Sequence, residues 1–184
     1  MIVLGTDPGY RSLGTAIVNT ATGALLHAET MDLGDEPMRW RQRLFPRLDA
    51  LLEEHRFTAI GSESPVVLHG AMKKGDNKPC AACGRSANSE RAFVNTMSSV
   101  GIFGSVLLLE AWGDSNGIPL QHARPMVIKE FACLRAREPF NYAKPPQKAQ
   151  MVRMAEAVSG GELGCHHAAD AYFAALTVYS ALAA

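Results

Sequence analysis

The sequence predicts a mixed α/β domain, a five-stranded sheet flanked by helices. Three observations predict it. The chain opens with three strand-like segments joined by tight polar turns. Two more short strands, at 58–63 and 118–123, are then separated by a long apolar segment of helical character. The last third is a run of helices, with no repeat and no low-complexity tract.

Met1 to Thr6 reads as a short buried strand, residues 7–12 (Asp-Pro-Gly-Tyr-Arg-Ser) as a turn, and Leu13 to Asn19 as a strand returning antiparallel. Thr22-Gly23 turns the chain again, and Ala24 to Leu33 completes a meander that closes at Gly34-Asp35. Pro37 to His55 carries Leu44, Leu48, Leu51 and Leu52 near helical spacing, with Asp35 as the expected N-cap and Pro46 as the expected kink or break. Thr58 to Glu63 is a fourth strand, ended by Ser64-Pro65.

Residues 68–90 hold little hydrophobic material and much Gly, Lys, Asn and Ser, which predicts a long loop or small inserted element. Arg91 to Trp112 predicts an apolar helix whose Gly101, Gly104 and Ser105 permit close approach of a neighbour, either within the core or across a dimer contact. Ile118 to Ala123 is the fifth strand, Pro125 to Leu134 a helix, and Pro145-Pro146 open a helix reaching about Val158. His166 to Leu182 forms the last helix.

At 184 residues, nearly half of them hydrophobic, the chain has the size of one domain with a real core, 1–184, carrying the insertion at about 68–90. No apolar run is long enough to span a membrane and no basic flank precedes the first strand, so the expected location is cytoplasmic. The net charge of zero gives no general sign of a nucleic-acid partner. Counted by segment, however, 69–91 has a net charge of +3 and 124–153 of +5, so the remainder is acidic. Each basic segment alone also reads as a solvated face. Together with acids at element ends they match a site where cations and phosphates meet.

Three acids occupy such ends: Asp7 at the first strand, Glu63 at the fourth, and Asp170 early in the last helix. Hydrolysing a phosphodiester without a covalent intermediate calls for an activated water and a stabilised leaving oxygen. Two divalent cations supply both, and hard cations bind clustered carboxylates. His167 lies three positions before Asp170, on the same helical face, and an imidazole can replace one carboxylate, favouring Mn²⁺ somewhat over Mg²⁺. Taken singly, each acid reads more readily as a surface carboxylate or a helix cap than as a ligand.

The segment Leu4-Gly5-Thr6-Asp7-Pro8-Gly9, with Gly14 following, resembles the opening strand-turn-strand of RuvC-type Holliday junction resolvases. ATPases of the actin and Hsp70 type open similarly, but Ile60-Gly61-Ser62-Glu63 also resembles the resolvases' second catalytic strand. His167-Ala168-Ala169-Asp170-Ala171 resembles their C-terminal helix. Residues 123–129 and 146–152 are similar to the two basic segments that present DNA-contacting lysines. The resemblance spans nearly the whole chain except 68–90. It implies a ribonuclease H-like fold and metal ligation by Asp7, Glu63, His167 and Asp170, with two Mg²⁺ or Mn²⁺ per site. It also implies phosphate or transition-state contacts from Lys129 and Lys148, the latter counted with the catalytic set, and cleavage products with a 5′-phosphate and a 3′-hydroxyl. Arg124, Lys73 and Lys74 join the expected DNA-binding set. His166 also lies within a helical turn of Asp170, but the family's spacing selects His167.

Two departures stand out. Family members often place an aromatic wedge soon after the second acid, whereas Glu63 is followed by Ser64-Pro65-Val66-Val67. The insertion also contains Cys80-Ala81-Ala82-Cys83-Gly84, the spacing of half a structural zinc site. Its remaining ligands would come from His69 or from the same cysteines of a second subunit; the alternatives are a reducible thiol pair or an inert coincidence. Cys133 and Cys165 read as ordinary half-buried cysteines.

The functional expectation is a homodimeric endonuclease resolving four-way DNA junctions, with 91–112 as the interface, because a two-fold dimer matches a near-two-fold substrate. The alternatives are a broader nuclease for flaps, forks and other branched DNA, or a branched-DNA binding module without catalysis. A nucleotide-binding reading of Asp7-Pro8-Gly9 fails on length, since that fold duplicates the domain.

Overall fold

The computed structural model describes residues 1–65 and 87–180, the side chains of 87–100 and of Ser180 excepted. Strands β1 (Ile2–Pro8), β2 (Ser12–Asn19) and β3 (Ala24–Asp32) form an antiparallel meander. The β1–β2 turn is closed by the Gly9 N–H donating to the Ser12 carbonyl at 2.8 Å. Helix α1 (Trp40–His55), preceded by a 3-10 turn at Pro37–Arg39, carries the chain across to β4 (Ile60–Glu63), which lies parallel to β1. Helix α2 (Ala87–Asn116) leads to β5 (Leu120–Ala123), parallel to β4, and α3 (Pro125–Ala136), α4 (Lys148–Ser159) and α5 (His166–Ser180) follow. The sheet order is β3-β2-β1-β4-β5.

Central strands covered on both faces read as continuous apolar runs, and β1 and β2 are buried over most of their length. Alternate side chains serve opposite layers. Val3, Ala16, Val18 and Ala59 pack against α3, α4 and α5, while Leu4, Leu13, Ile17 and Ile60 pack against α1 and α2. The result is a three-layer sandwich with a core on each face of the sheet.

Several local expectations are corrected. Asp35 caps no helix: its carboxylate pairs with the Arg11 guanidinium at 2.5 Å, and Glu36 stands at the cap position without a side-chain hydrogen bond. Pro46 neither breaks nor ends α1, which runs through it. Proline there removes the donor to the Gln42 carbonyl; both residues are exposed, so that carbonyl is open to solvent, while Trp40, Leu44, Leu48 and Leu51 stay buried on the opposite stripe. Pro145 and Pro146 precede α4 instead of opening it, and Gln147 is the extended N-cap. A residue before proline is pushed away from helical geometry, so consecutive prolines hold the chain extended. Helix α2 extends past the expected 91–112 at both ends, taking in Ala87–Glu90 from the segment read as a loop.

Among the described residues no helix is long and apolar enough to cross a membrane. Lys73, Lys74, Cys80, Cys83 and His69, and with them the zinc expectation, lie outside the described residues.

Candidate active site

Strand register and alternation bring the first two acids together. The parallel β1–β4 register pairs Gly5 with Gly61 and Thr6 with Ser62, so Asp7 and Glu63 come next on their strands. With a period of two, Asp7 shares the face of Val3 and Gly5, and Glu63 that of Ala59 and Gly61. That face is covered by α5.

Helix α5 meets the sheet with almost no side chain between. A Cβ on Gly5 would collide with the Ala171 carbonyl, and one on Gly14 with the His167 backbone. On Gly61 a Cβ would come within 3.0 Å of the Ala174 carbonyl and the Ala175 Cα. His167, Asp170, Ala171, Ala174 and Ala175 fall on one helical stripe, at spacings of three, four, seven and eight. The stripe therefore lies on the strands with alanines at its middle and His167 and Asp170 at its N-terminal end. Gly14 is the cross-strand partner of Asp7, so seating His167 over Gly14 places the imidazole beside that carboxylate. The His167 Nδ1 to Asp7 Oδ2 distance is 2.6 Å.

The electrostatics mark these residues as one group. Burial, then the negative charges of Asp7 and Asp170, push the Glu63 carboxyl up to about 8. Burial, then Asp7, pushes Asp170 up to about 7. His167 is raised, chiefly by its hydrogen bond to Asp7. Lys129 opposes the rise at both Glu63 and Asp170, and Lys148 opposes it at Asp170, so both lysines stand within electrostatic reach of the acids. His166 is lowered by burial, then by His167 and Lys148.

The structure thus brings Asp7, Glu63, His167, Asp170, Lys129 and Lys148 to one region. Arg124 is exposed at the extended entry to α3, just past the end of β5. The recess of about 600 Å³ lined by Leu134, Arg135, Ala136, Arg137, Ala157 and Val158 contains none of the acids.

Three carboxylates and an imidazole are donors suited to Mg²⁺ or Mn²⁺. Burial, and then the charge of the neighbouring acids, raises Glu63 and Asp170, and a divalent cation would relieve the repulsion among them. The donor types therefore suit such ions, although among the described residues no three His, Cys, Asp or Glu side chains stand close enough together to hold one.

Sequence reasoning set His166 aside, yet its Nε2 lies 2.9 Å from Lys148 Nζ and its ring packs on His167 with centroids 4.1 Å apart. It also missed Tyr10, which follows the Asp7 turn and lies so close to Gly101 of α2 that a Cβ there would strike its ring. The small residues of α2 were the available signal. Cys133 is buried, and the half-buried Cys165 contacts the Thr30 hydroxyl at 3.0 Å.

No protein-family model matches the chain, and no curated protein matches it in sequence. Solved structures do. The Thermus thermophilus RuvC structure superposes with a TM-score of 0.64 at 19% identity, over 100% of this chain and 97% of that one. T. thermophilus RuvC in complex with Holliday junction substrate gives a TM-score of 0.64 at 20% identity, over 99% and 96%. From its first strand to its last helix, this chain has the RuvC fold, the ribonuclease H-like arrangement that its motifs led one to expect.

Proposed function

We propose that this chain is a metal-dependent endonuclease that resolves four-way DNA junctions as a homodimer, hydrolysing one phosphodiester in each of two strands. The observation that carries the proposal is the gathering of Asp7, Glu63, His167 and Asp170 from β1, β4 and α5, with Lys129 and Lys148 beside them. The likeness in fold to a RuvC bound to a Holliday junction adds to it. Exposed Phe103 and Leu107, one turn apart on α2, suit contact with a second copy.

In this reading Asp7, Glu63, His167 and Asp170 would hold divalent cations. Such ions, when bound, polarise phosphoryl oxygens and acidify an attacking water. Asp7 accepts a hydrogen bond from His167 Nδ1, which orients the ring toward the other acids of the group. Lys148 offsets negative charge on the scissile phosphate, and Lys129 favours the ionised forms of Glu63 and Asp170. Arg124, with Lys73 and Lys74 of the insertion, would contact backbone phosphates of the DNA.

The test is a labelled synthetic four-way junction, with matched duplex and flap controls, incubated with Mg²⁺ or Mn²⁺ and with chelator. Paired symmetric nicks near the junction, abolished by chelator and by Asp7→Asn, support resolution. Equal cutting of flaps and forks would mean a broader branched-DNA nuclease. Binding without metal-dependent cutting would overturn the catalytic reading in favour of a binding module, and an Asp7→Asn protein that still cleaved would overturn the metal site.

A further inference from the structure

We propose that His166 is a positioning residue, holding the Lys148 ammonium beside the carboxylate group so that it meets the scissile phosphate. The inference rests on the nuclease reading above. Lys148 opens α4 and His166 opens α5, and the two helix starts face each other with Nζ and Nε2 2.9 Å apart. A lysine ammonium has three donors and no acceptor, so the imidazole nitrogen accepts and its ring proton sits on Nδ1.

Lys148 is otherwise exposed. A free lysine side chain samples many rotamers, and holding its charge in one place costs entropy at the moment of reaction unless another group has already restricted it. No carboxylate pairs with Lys148 among the described residues. An acceptor without charge orients the ammonium and leaves its full positive charge for a phosphate, where a carboxylate partner would cancel it. His166 is itself held, half-buried with its ring against His167. The two adjacent histidines thus divide the work: His167 faces Asp7, and His166 faces Lys148.

Single-turnover junction cleavage at saturating full-length protein tests this. His166→Phe keeps a ring against His167 but has no acceptor, and is expected to cut about tenfold more slowly with junction affinity within about twofold of wild type. His166→Gln, whose amide oxygen accepts, should recover most of the rate. In a Lys148→Met background, His166→Phe should cost nothing further, because the residue acts through that lysine. In parallel, the ¹⁵N NMR spectrum of the histidine rings, recorded without DNA, should show His166 Nε2 as an acceptor whose signal moves in Lys148→Met.

A His166→Phe protein cutting at the wild-type rate would overturn the proposal, as would an equal loss in the Lys148→Met background, which would assign His166 to His167 instead. A His166 Nε2 signal indifferent to Lys148→Met would overturn it on structural grounds alone. Wild-type protein that cuts no branched DNA would remove the nuclease reading and this role with it, whereas cutting indifferent to residue 166 would remove only this role.

Discussion

Replacing Glu63 by glutamine is expected to stabilise the metal-free protein increasingly as the pH rises. In the folded chain the carboxyl is pushed from the usual 4.5 up to about 8 by burial and by its acidic neighbours. The folded protein therefore holds a proton that the unfolded chain gives up. The stability linked to this group is fully present below pH 4.5 and is lost as the pH rises toward 8. At about 1.36 kcal/mol per pH unit, the loss accumulated by pH 7 is roughly 3 kcal/mol. Glutamine has the same shape and no proton to lose, so it escapes this term. A buried amide brings its own hydrogen-bonding cost, but that cost does not vary with pH. The informative quantity is thus the variant-minus-wild-type difference in Tm, recorded in chelator at pH 4.5 and again at pH 7. For a chain of this size the difference should grow by about 6–12 °C between the two. A difference that stays constant would refute the placement of Glu63 in a half-buried cluster of like charge. Adding Mn²⁺ at pH 7 should raise the wild-type Tm and leave the variant nearly unmoved.

Two further outcomes follow from the same geometry. Because Glu63 and Asp170 keep protons up to about 8 and about 7, divalent cations compete with those protons. Mn²⁺ affinity measured by calorimetry should therefore climb between pH 6 and pH 8 with protons released on binding, and a flat profile would exclude these carboxyls as ligands. Gly14→Ala sets a methyl group against the His167 backbone and should cost about 1–3 kcal/mol in urea unfolding, weakening Mn²⁺ binding as well because His167 is pushed off Asp7. Unchanged stability would mean that α5 and β2 are not in such close contact.

The strands and the acids at their ends were legible in the sequence because they obey short periods. Short apolar runs ending in Asp7 and Glu63, and the three-residue spacing of His167 and Asp170, marked single candidates, while the resemblance to the resolvases joined them into one ligand set and chose His167 over His166. The ends of elements were less legible where a tertiary effect outweighed a local rule. Pro46 reads as a helix breaker, yet the buried leucine stripe of α1 holds the helix through it. Asp35 reads as a cap, yet Arg11 claims it. The contact between Lys148 and His166 joins the first turns of two helices 18 residues apart, and no periodicity reports such a meeting. The distance between α5 and the sheet was encoded only in Gly5, Gly14 and Gly61, which are scattered in sequence and align only once the strands are paired.

Between α5 and the strands, the glycine–alanine seam works as a spacer gauge. Nothing along it is chosen for reactivity, and its alanines and glycines offer no side chain that could swing aside to absorb an added methyl group. An enlarged residue would lift the helix, and the lift would be passed undiminished to His167 and Asp170 at its tip. At Ala171, Ala174 and Ala175 the packing constrains volume, while the candidate ligands His167 and Asp170 lie at the N-terminal end of the same stripe. Changing the distance between the helix tip and the strand ends would call for a change in the seam before any change in Asp7, Glu63, His167 or Asp170.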